Sequence, residues 1–371
     1  MMKRFCAVIG SAALLVLSGC SLAGHPQAET LSAAALASSV ASPAAGTRPG
    51  PSRTAVPVSI TAVGDTMLGN TPDLPPDPGA YFDSVKSLLD AGGGIVFGNL
   101  EGTLTTSTAS KCGKKENPDC FAFRDPPDYG QYFKKAGFTI LNDANNHSFD
   151  FGAAGQAQTV QSIHAAGLAQ TGLPGEITLV KTHGVKVAFV AFAPYPYDAN
   201  LLDLPAARAL IKRAVRMAHV VVVYMHAGAE GSGADHVTGR EEYYLGEDRG
   251  NAEAFAHMAI NAGASLVIAS GPHVLRGMQF YKGHLIAYSL GNFAGYGNFG
   301  TNGDLAISVI LRVTLSAGGR FESARIYPIQ FTGAGQPVPG GGAIAFVAGL
   351  GSADFGSSAA HIEPSGTIKA S

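Results

Sequence analysis

Phe138-Thr139-Ile140-Leu141-Asn142-Asp143-Ala144-Asn145-Asn146-His147-Ser148-Phe149-Asp150 decides how this chain folds. Its apolar opening, Phe138 to Leu141, gives out abruptly into amides, an imidazole and a carboxylate, the pattern of a short buried strand that ends in a polar loop. In open α/β sheets, binding groups gather at the carboxyl ends of strands, where several loops can aim side chains at one spot. An amide oxygen beside an imidazole, Asn146 and His147, suits a catalytic metal. One such pair proves little, but other strand-like segments end the same way: Val63-Gly64-Asp65, Phe97-Gly98-Asn99-Leu100-Glu101, Tyr224-Met225-His226 and Pro272-His273.

Outward from that loop, the pattern is α/β. Pro57-Val63, Gly94-Phe97, Phe138-Leu141, Val185-Phe192, Val220-Met225 and Ser265-Ala269 read as short buried strands. Helical stretches alternate with them: Tyr81-Ala91, Tyr129-Ala136, Gln156-Ala166, Pro205-Ala218 and Ala252-Ala262. Later segments, Met278-Tyr281, Leu285-Leu290, Leu305-Leu315 and Arg320-Ile329, alternate with no helix between them. A sheet with helices outside it, packed on a second sheet rich in antiparallel pairs, accounts for both halves. The folded domain is expected over 56–332, and no internal repeat is present.

At 371 residues with 46% hydrophobic content, the chain can bury a large core. Charged residues make up 14% and the formal net charge is -2, which excludes a global pull toward nucleic acid. Residues 1–20 read as a secretion signal, with basic Lys3 and Arg4 before an apolar run from Ala7 to Leu17. Leu17-Ser18-Gly19-Cys20 resembles a bacterial lipobox, which implies cleavage before Cys20, acylation there, and an exported lipoprotein anchored on the extracytoplasmic side of a membrane. Residues 21–55, a run of Ala, Ser, Pro, Gly and Thr, cannot offset their ordering entropy and read as a disordered tether. The Gly/Ala-rich tail 333–371 is expected to be weakly ordered, apart from Ala343-Val347 packing on the body. With Cys6 discarded and Cys20 lipidated, Cys112 and Cys120 remain to pair in an oxidising compartment, a disulfide worth roughly 2–3 kcal/mol.

The strand-end blocks, taken in order, resemble the capsule synthesis protein family of CapA or PgsA type, a branch of the calcineurin-like metallophosphoesterase superfamily. Gly64-Asp65-Thr66-Met67-Leu68-Gly69 is similar to its opening motif and Gly98-Asn99-Leu100-Glu101-Gly102 to its second. Ala144-Asn145-Asn146-His147 with Asp150-Phe151-Gly152 matches the third, and His226-Ala227-Gly228-Ala229-Glu230 the fourth. Pro272-His273-Val274-Leu275, followed by Ser289-Leu290-Gly291-Asn292-Phe293, matches the last. The resemblance spans roughly Val58 to Phe331 and implies a four-layer sandwich of helix, sheet, sheet and helix. It implies Asp65, Asn99 or Glu101, Asn146, His226 and His273 as metal ligands, His147 as the acid beside a leaving oxygen with Asp150 orienting it, and Glu230 as a further ligand or base. Carboxylate, amide and imidazole donors together suit Mn²⁺, Zn²⁺ or Fe, one ion or two.

Departures from the superfamily pattern count equally. Met67 stands where an imidazole is usual two positions after Asp65, and a thioether cannot replace it on a hard cation. Ser270 and Gly271 stand where the family commonly carries a second histidine near His273. Ligands are thus lost for both ions, at least one ion is expected to bind weakly, and hydrolysis does not follow from the fold. No Gly-x-x-x-x-Gly-Lys-Ser/Thr loop and no Gly-x-Ser-x-Gly elbow exist, which removes ATP-dependent ligation and serine hydrolysis. Lys111, Lys114, Lys115 and Arg124 form a basic group near the disulfide loop. The expected partners are an anionic polymer such as poly-γ-glutamate or a phosphorylated envelope intermediate, the membrane through its anchor, and subunits of a polymer synthesis or export complex. A non-catalytic lipoprotein that binds anionic polymer or wall glycan is the alternative.

Overall fold

The computed structural model describes residues 50, 56–90, 93–113 and 119–370. The signal 1–20, the lipidation position Cys20, nearly all of the tether 21–55, and Lys114 and Lys115 lie outside the described residues. The described residues fall in one compact unit. Two sheets organise it. The larger runs, in spatial order, His361–Ile362, Thr367–Lys369, Phe321–Thr332, Ile307–Leu315, Val58–Met67, Ile95–Leu100, Ile140–Asn142 and Ala169–Thr171. Asn292–Gly295 adds to the end of Val58–Met67, and Gln336–Pro339 to Phe321–Thr332. The smaller sheet runs Met278–Tyr281, His284–Ala287, Leu266–Ser270, Val220–His226, Val185–Phe192 and Thr178–Thr182.

Strands covered on both faces lose the polar alternation of a half-wet sheet, which is why Val220–His226 reads Val-Val-Val-Val-Tyr-Met-His and is buried throughout. Alternate residues of the two sheets, among them Ile60, Phe97, Val187, Val222 and Ile268, interdigitate in one apolar cluster. The outward residues of the smaller sheet, such as Val190, Val223 and Val267, pack on the helices Leu204–Met217 and Ala252–Ala262. Those of the larger sheet, such as Val96 and Leu141, meet Phe82, Phe133 and Ile163. Both long helices of the smaller sheet are capped as their sequences dictate, by Asp203 accepting from the Ala206 amide and by Asn251 accepting from the Ala254 amide. Among the described residues no helix is long and apolar enough to cross a membrane.

Three expectations need correction. The late segments Ile307–Leu315 and Phe321–Thr332 do not build the second sheet; they extend the first, antiparallel to Val58–Met67, so each sheet is mixed. The helix expected over Tyr81-Ala91 is reduced to Lys86–Leu89, because Val85 offers no side-chain cap and glycines follow at 93 and 94. The tail 333–371 is part of the body: it forms the strand Gln336–Pro339, the helix Ala343–Phe355 and the pair His361–Ile362 and Thr367–Lys369. Ala343, Val347, Ile362 and Ile368 join the cluster between the sheets, so a few well-placed apolar side chains outweigh the glycine-rich composition. Truncation after Thr332 is therefore expected to lower the urea midpoint sharply or abolish cooperative unfolding; an unchanged midpoint by circular dichroism would contradict this packing.

Candidate metal centre

Asp65 lies near the end of Val58–Met67, where the ladder shifts register and Asp65 pairs with Asn99 on one side and Asn292 on the other. Gly64 makes this possible: a Cβ there would stand 1.8 Å from the Gly291 carbonyl oxygen, the same oxygen that accepts from the Asp65 amide at 3.0 Å. Glu101 follows Ile95–Leu100 and His226 ends Val220–His226. Ser270 ends the neighbouring strand in register with His226. The carboxyl ends of strands from both sheets thus meet at one place.

One ligand atom from each of Asp65, Glu101 and His226 lies within 4.8 Å of the other two. All three residues are fully buried, yet Asp65 Oδ2, both Glu101 carboxylate oxygens and His226 Nε2 lack hydrogen-bond partners. Buried polar atoms left unpaired cost free energy, and a convergent group of oxygen and nitrogen donors is what a divalent cation satisfies. Asn146 Oδ1 is also buried without a partner. Protonation prepares the set unevenly. Burial holds His226 down to about 3, leaving its imidazole neutral and able to ligate. Burial and then the charge of Asp65 push Glu101 well above the usual carboxylate range. Burial works against the charge of Asp65 as well, but His273, His226 and the Ser270 hydroxyl hold its carboxyl below the usual range.

His273 sits at φ 62° in the left-handed region. Its Nδ1 is 2.8 Å from Asn292 Oδ1 and 3.4 Å from Asp65 Oδ2, and its Nε2 stands 3.6 Å from both Glu101 Oε1 and Glu230 Oε2. Burial opposes its charge, but Glu101, Asp65 and Glu230 push it up to about 10, so it is cationic among these acids. Asn99 has a different place from the one its motif implies. Its amide nitrogen donates to Asp65 Oδ1 at 2.8 Å, while its oxygen accepts from Asn142 at 2.6 Å and Asn145 at 3.0 Å. With its oxygen so engaged, Asn99 positions Asp65, and of the Asn99 and Glu101 alternatives Glu101 supplies the free donors. Ser270 donates to Asp65 Oδ1 and pairs with the Tyr224 hydroxyl.

His147 Nδ1 is 2.9 Å from Asp150 Oδ2, and Asp150 is further held by Lys111 Nζ at 2.7 Å and the Phe123 amide at 2.6 Å. Lys111 Nζ also donates to the Asn146 carbonyl, so its charge is spent on the motif itself. Cys112 and Cys120, eight residues apart, form a disulfide, and just beyond it Phe121 and Phe123 stack on each other at the site. Two cavities meet at His147 and Glu230. The narrow one, about 240 Å³, is walled by Met67, Phe123 and Phe299 and reaches His273; the wide one, about 630 Å³, is walled by Asn146, Tyr195, Tyr197 and Arg249. Of the residues singled out as ligand or catalyst, Asn146, His147, Glu230 and His273 line these cavities, while Asp65, Glu101 and His226 cluster beneath them in contact with His273.

Residues 59–296 match the family model described as bacterial capsule synthesis protein PGA_cap. The chain belongs to this family. It is 27% identical over 290 residues to the PGA biosynthesis protein CapA of Bacillus subtilis, covering 71% of this chain and 70% of that protein. To the capsule biosynthesis protein CapA of Bacillus anthracis it is 32% identical over 184 residues, 43% of this chain and 41% of that one. The Thermus thermophilus 5′-nucleotidase precursor is a distant likeness among solved structures, at 14% identity and TM-score 0.38 over 74% of this chain and 54% of that one. Haemophilus influenzae NAD nucleotidase stands at 11% and 0.40, over 78% and 54%.

The PGA_cap match reaches from Ser59 to Tyr296 and so contains every ligand of the buried acid and imidazole cluster. Arg249, Asn142 and Tyr224 were not visible as site residues in the sequence, because each lies in a strand or hairpin without a motif signal of its own. For a divalent ion to bind, Glu101 has to lose a proton that burial and Asp65 favour, so cation and proton compete. Apparent Mn²⁺ affinity is expected to rise with pH, with protons released on binding. Calorimetry in buffers of different ionisation enthalpy reads this directly, and pH-independent binding without proton release would rule it out. His226→Ala is expected to weaken the ion by more than the roughly 10–100-fold typical of outer-sphere partners.

Proposed function

We propose that this chain is an envelope lipoprotein of CapA type that serves capsule or poly-γ-glutamate synthesis or export, and that its metal centre hydrolyses a phosphoester. The observation carrying this reading is the buried Asp65, Glu101 and His226 cluster, with unpartnered donor atoms, beside the His147 and Asp150 pair. Family membership supports the polymer setting. Apolar clusters between the sheets and on both their outer faces support the four-layer, metallophosphoesterase-like arrangement that the resemblance implies. The Leu17-Ser18-Gly19-Cys20 run supports export and anchoring.

A Mn²⁺, Fe or Zn²⁺ ion on the triad would supply an activated water and charge neutralisation for a phosphoryl oxygen. The protein's own groups account for the rest. Asp150 fixes the His147 ring through Nδ1, which leaves Nε2 to donate a proton to a departing oxygen. Asn99 and Ser270 both donate to Asp65 Oδ1, which leaves Oδ2 as the oxygen to face a cation. Phe123 packs against His147 at 4.6 Å between ring centres and limits the water around it.

Met67 and Ser270 favour a second reading. With no imidazole at either position, only one complete donor set is present among the described residues, as expected for a family member that uses the pocket to bind anionic polymer or wall glycan without turnover. Metal content and hydrolysis of phosphomono- and diesters by the full chain separate the two. For the enzyme, His147→Ala is expected to keep its metal and lose roughly 10²–10⁴ in kcat, while His226→Ala loses both. Metal-loaded wild type with no turnover on any phosphoester would leave the binding role.

A further inference from the structure

We propose that Arg249 is the substrate-gripping residue of the wide cavity, taking an oxyanion of the bound molecule on its free Nη1. Arg249 is 3% exposed and lies in the short strand Glu247–Gly250, which pairs with Glu242–Tyr244 in a hairpin at the cavity wall. Two of its nitrogens are engaged. Nη2 is 2.7 Å from Glu230 Oε1, and Nε is 3.2 Å from Glu247 Oε2. Its guanidinium carbon stands 5.9 Å from the Tyr195 ring centre and 5.6 Å from that of Tyr244, so its plane is fixed by aromatic contact. Nη1 is buried without a hydrogen-bond partner among the described residues.

A buried guanidinium N–H without an acceptor is costly, and a fold tolerates it where a ligand completes it. The carboxylates of Glu230 and Glu247 meet the other two nitrogens, so neither ion pair uses the third. Lys111 on the same wall makes the contrast: its ammonium is consumed by Asp150 and the Asn146 carbonyl. Asp119 and Glu247 also line the cavity, so net charge does not draw an anion there; a directed, preorganised donor does. Glu230 sets the span. Its Oε1 holds Arg249 and its Oε2 stands 3.6 Å from His273 Nε2, which is 3.6 Å from Glu101 Oε1. Arg249 is thus linked through one carboxylate to His273 beside the ligand cluster, and it lines the cavity in which a molecule held at the cluster by one anionic group would extend a second. The ligand class is a phosphoryl- or carboxylate-bearing molecule. This deepens the metal-site reading, on which it rests for the placement of the first group.

The test is calorimetric titration of the full chain with inorganic phosphate and with tri-γ-glutamate, each with and without Mn²⁺, and with metal content measured on the same samples. Wild type is expected to bind at least one probe, with affinity falling about tenfold or more in Arg249→Lys and Arg249→Met, the size of one charge-assisted hydrogen bond. Glu247→Gln, at a half-exposed side chain, frees Nε and is expected to hold or tighten binding. Should Arg249→Met fail to fold, Arg249→Lys and Glu247→Gln still decide. A response to phosphate identifies a phosphoryl source, and a response to the peptide a carboxylate one. Binding of neither probe, equal binding in the Arg249 variants, or a loss in Glu247→Gln matching theirs overturns the inference. Metal-loaded protein indifferent to Arg249 sinks this inference alone, whereas Arg249-dependent binding by protein that takes no metal sinks the metal reading alone.

Discussion

A fully buried carboxylate, Asp65, joins the two sheets, and the rest of the site is arranged around keeping it charged. An ionised group in a low-dielectric interior is expensive unless several donors meet it. Here the larger sheet contributes Asn99, the smaller contributes Ser270, and the loop beyond it contributes His273. The contacts run across the seam between the sheets, so the same side chain that offers an oxygen to a cation also fixes how the two layers meet. The Gly64 approach to Gly291 sets its height, since no larger residue would let the two backbones come so close.

Much of this was legible before any coordinates. Strand ends could be read because a parallel strand buried on both faces is a short apolar run, and its end is where polar residues begin, as at Leu141 and Met225. Carboxylates and imidazoles placed there had one direction in which to converge. Sheet membership was not legible. Ile307–Leu315 and Phe321–Thr332 have the alternation of antiparallel strands wherever they lie, and only their pairing with Val58–Met67 assigns them to the larger sheet. The tail misled for a related reason: composition averages over residues, whereas Val347 and Ile368 act through position.

Within the site, amides were the blind spot. Asn99, Asn142 and Asn145 are chemically alike in the sequence, yet each of their oxygens and nitrogens is committed to a neighbour, and only geometry separates a scaffold amide such as Asn99 from Asn146, whose oxygen is left free. Arg249 was invisible because it belongs to a hairpin whose register depends on a pin elsewhere. Arg276, fully buried, holds Glu242 through two nitrogens at 3.0 and 2.6 Å and the Ala234 carbonyl through a third. Gly228, at φ 102°, leaves room for that guanidinium, since a Cβ there would lie 2.7 Å from Nη1.

The Cys112–Cys120 closure and the Arg276–Glu242 clamp share a property: each ties off a rim segment at its base, on opposite flanks of the cleft. Phe121, just past the disulfide, and Leu245, between the two strands of the hairpin, are both well exposed and can change identity without moving Asp65 or His226. The architecture therefore divides into a floor whose buried groups fix one another and a mouth whose exposed side chains do not, so the shape of the entrance can vary independently of the cluster below it.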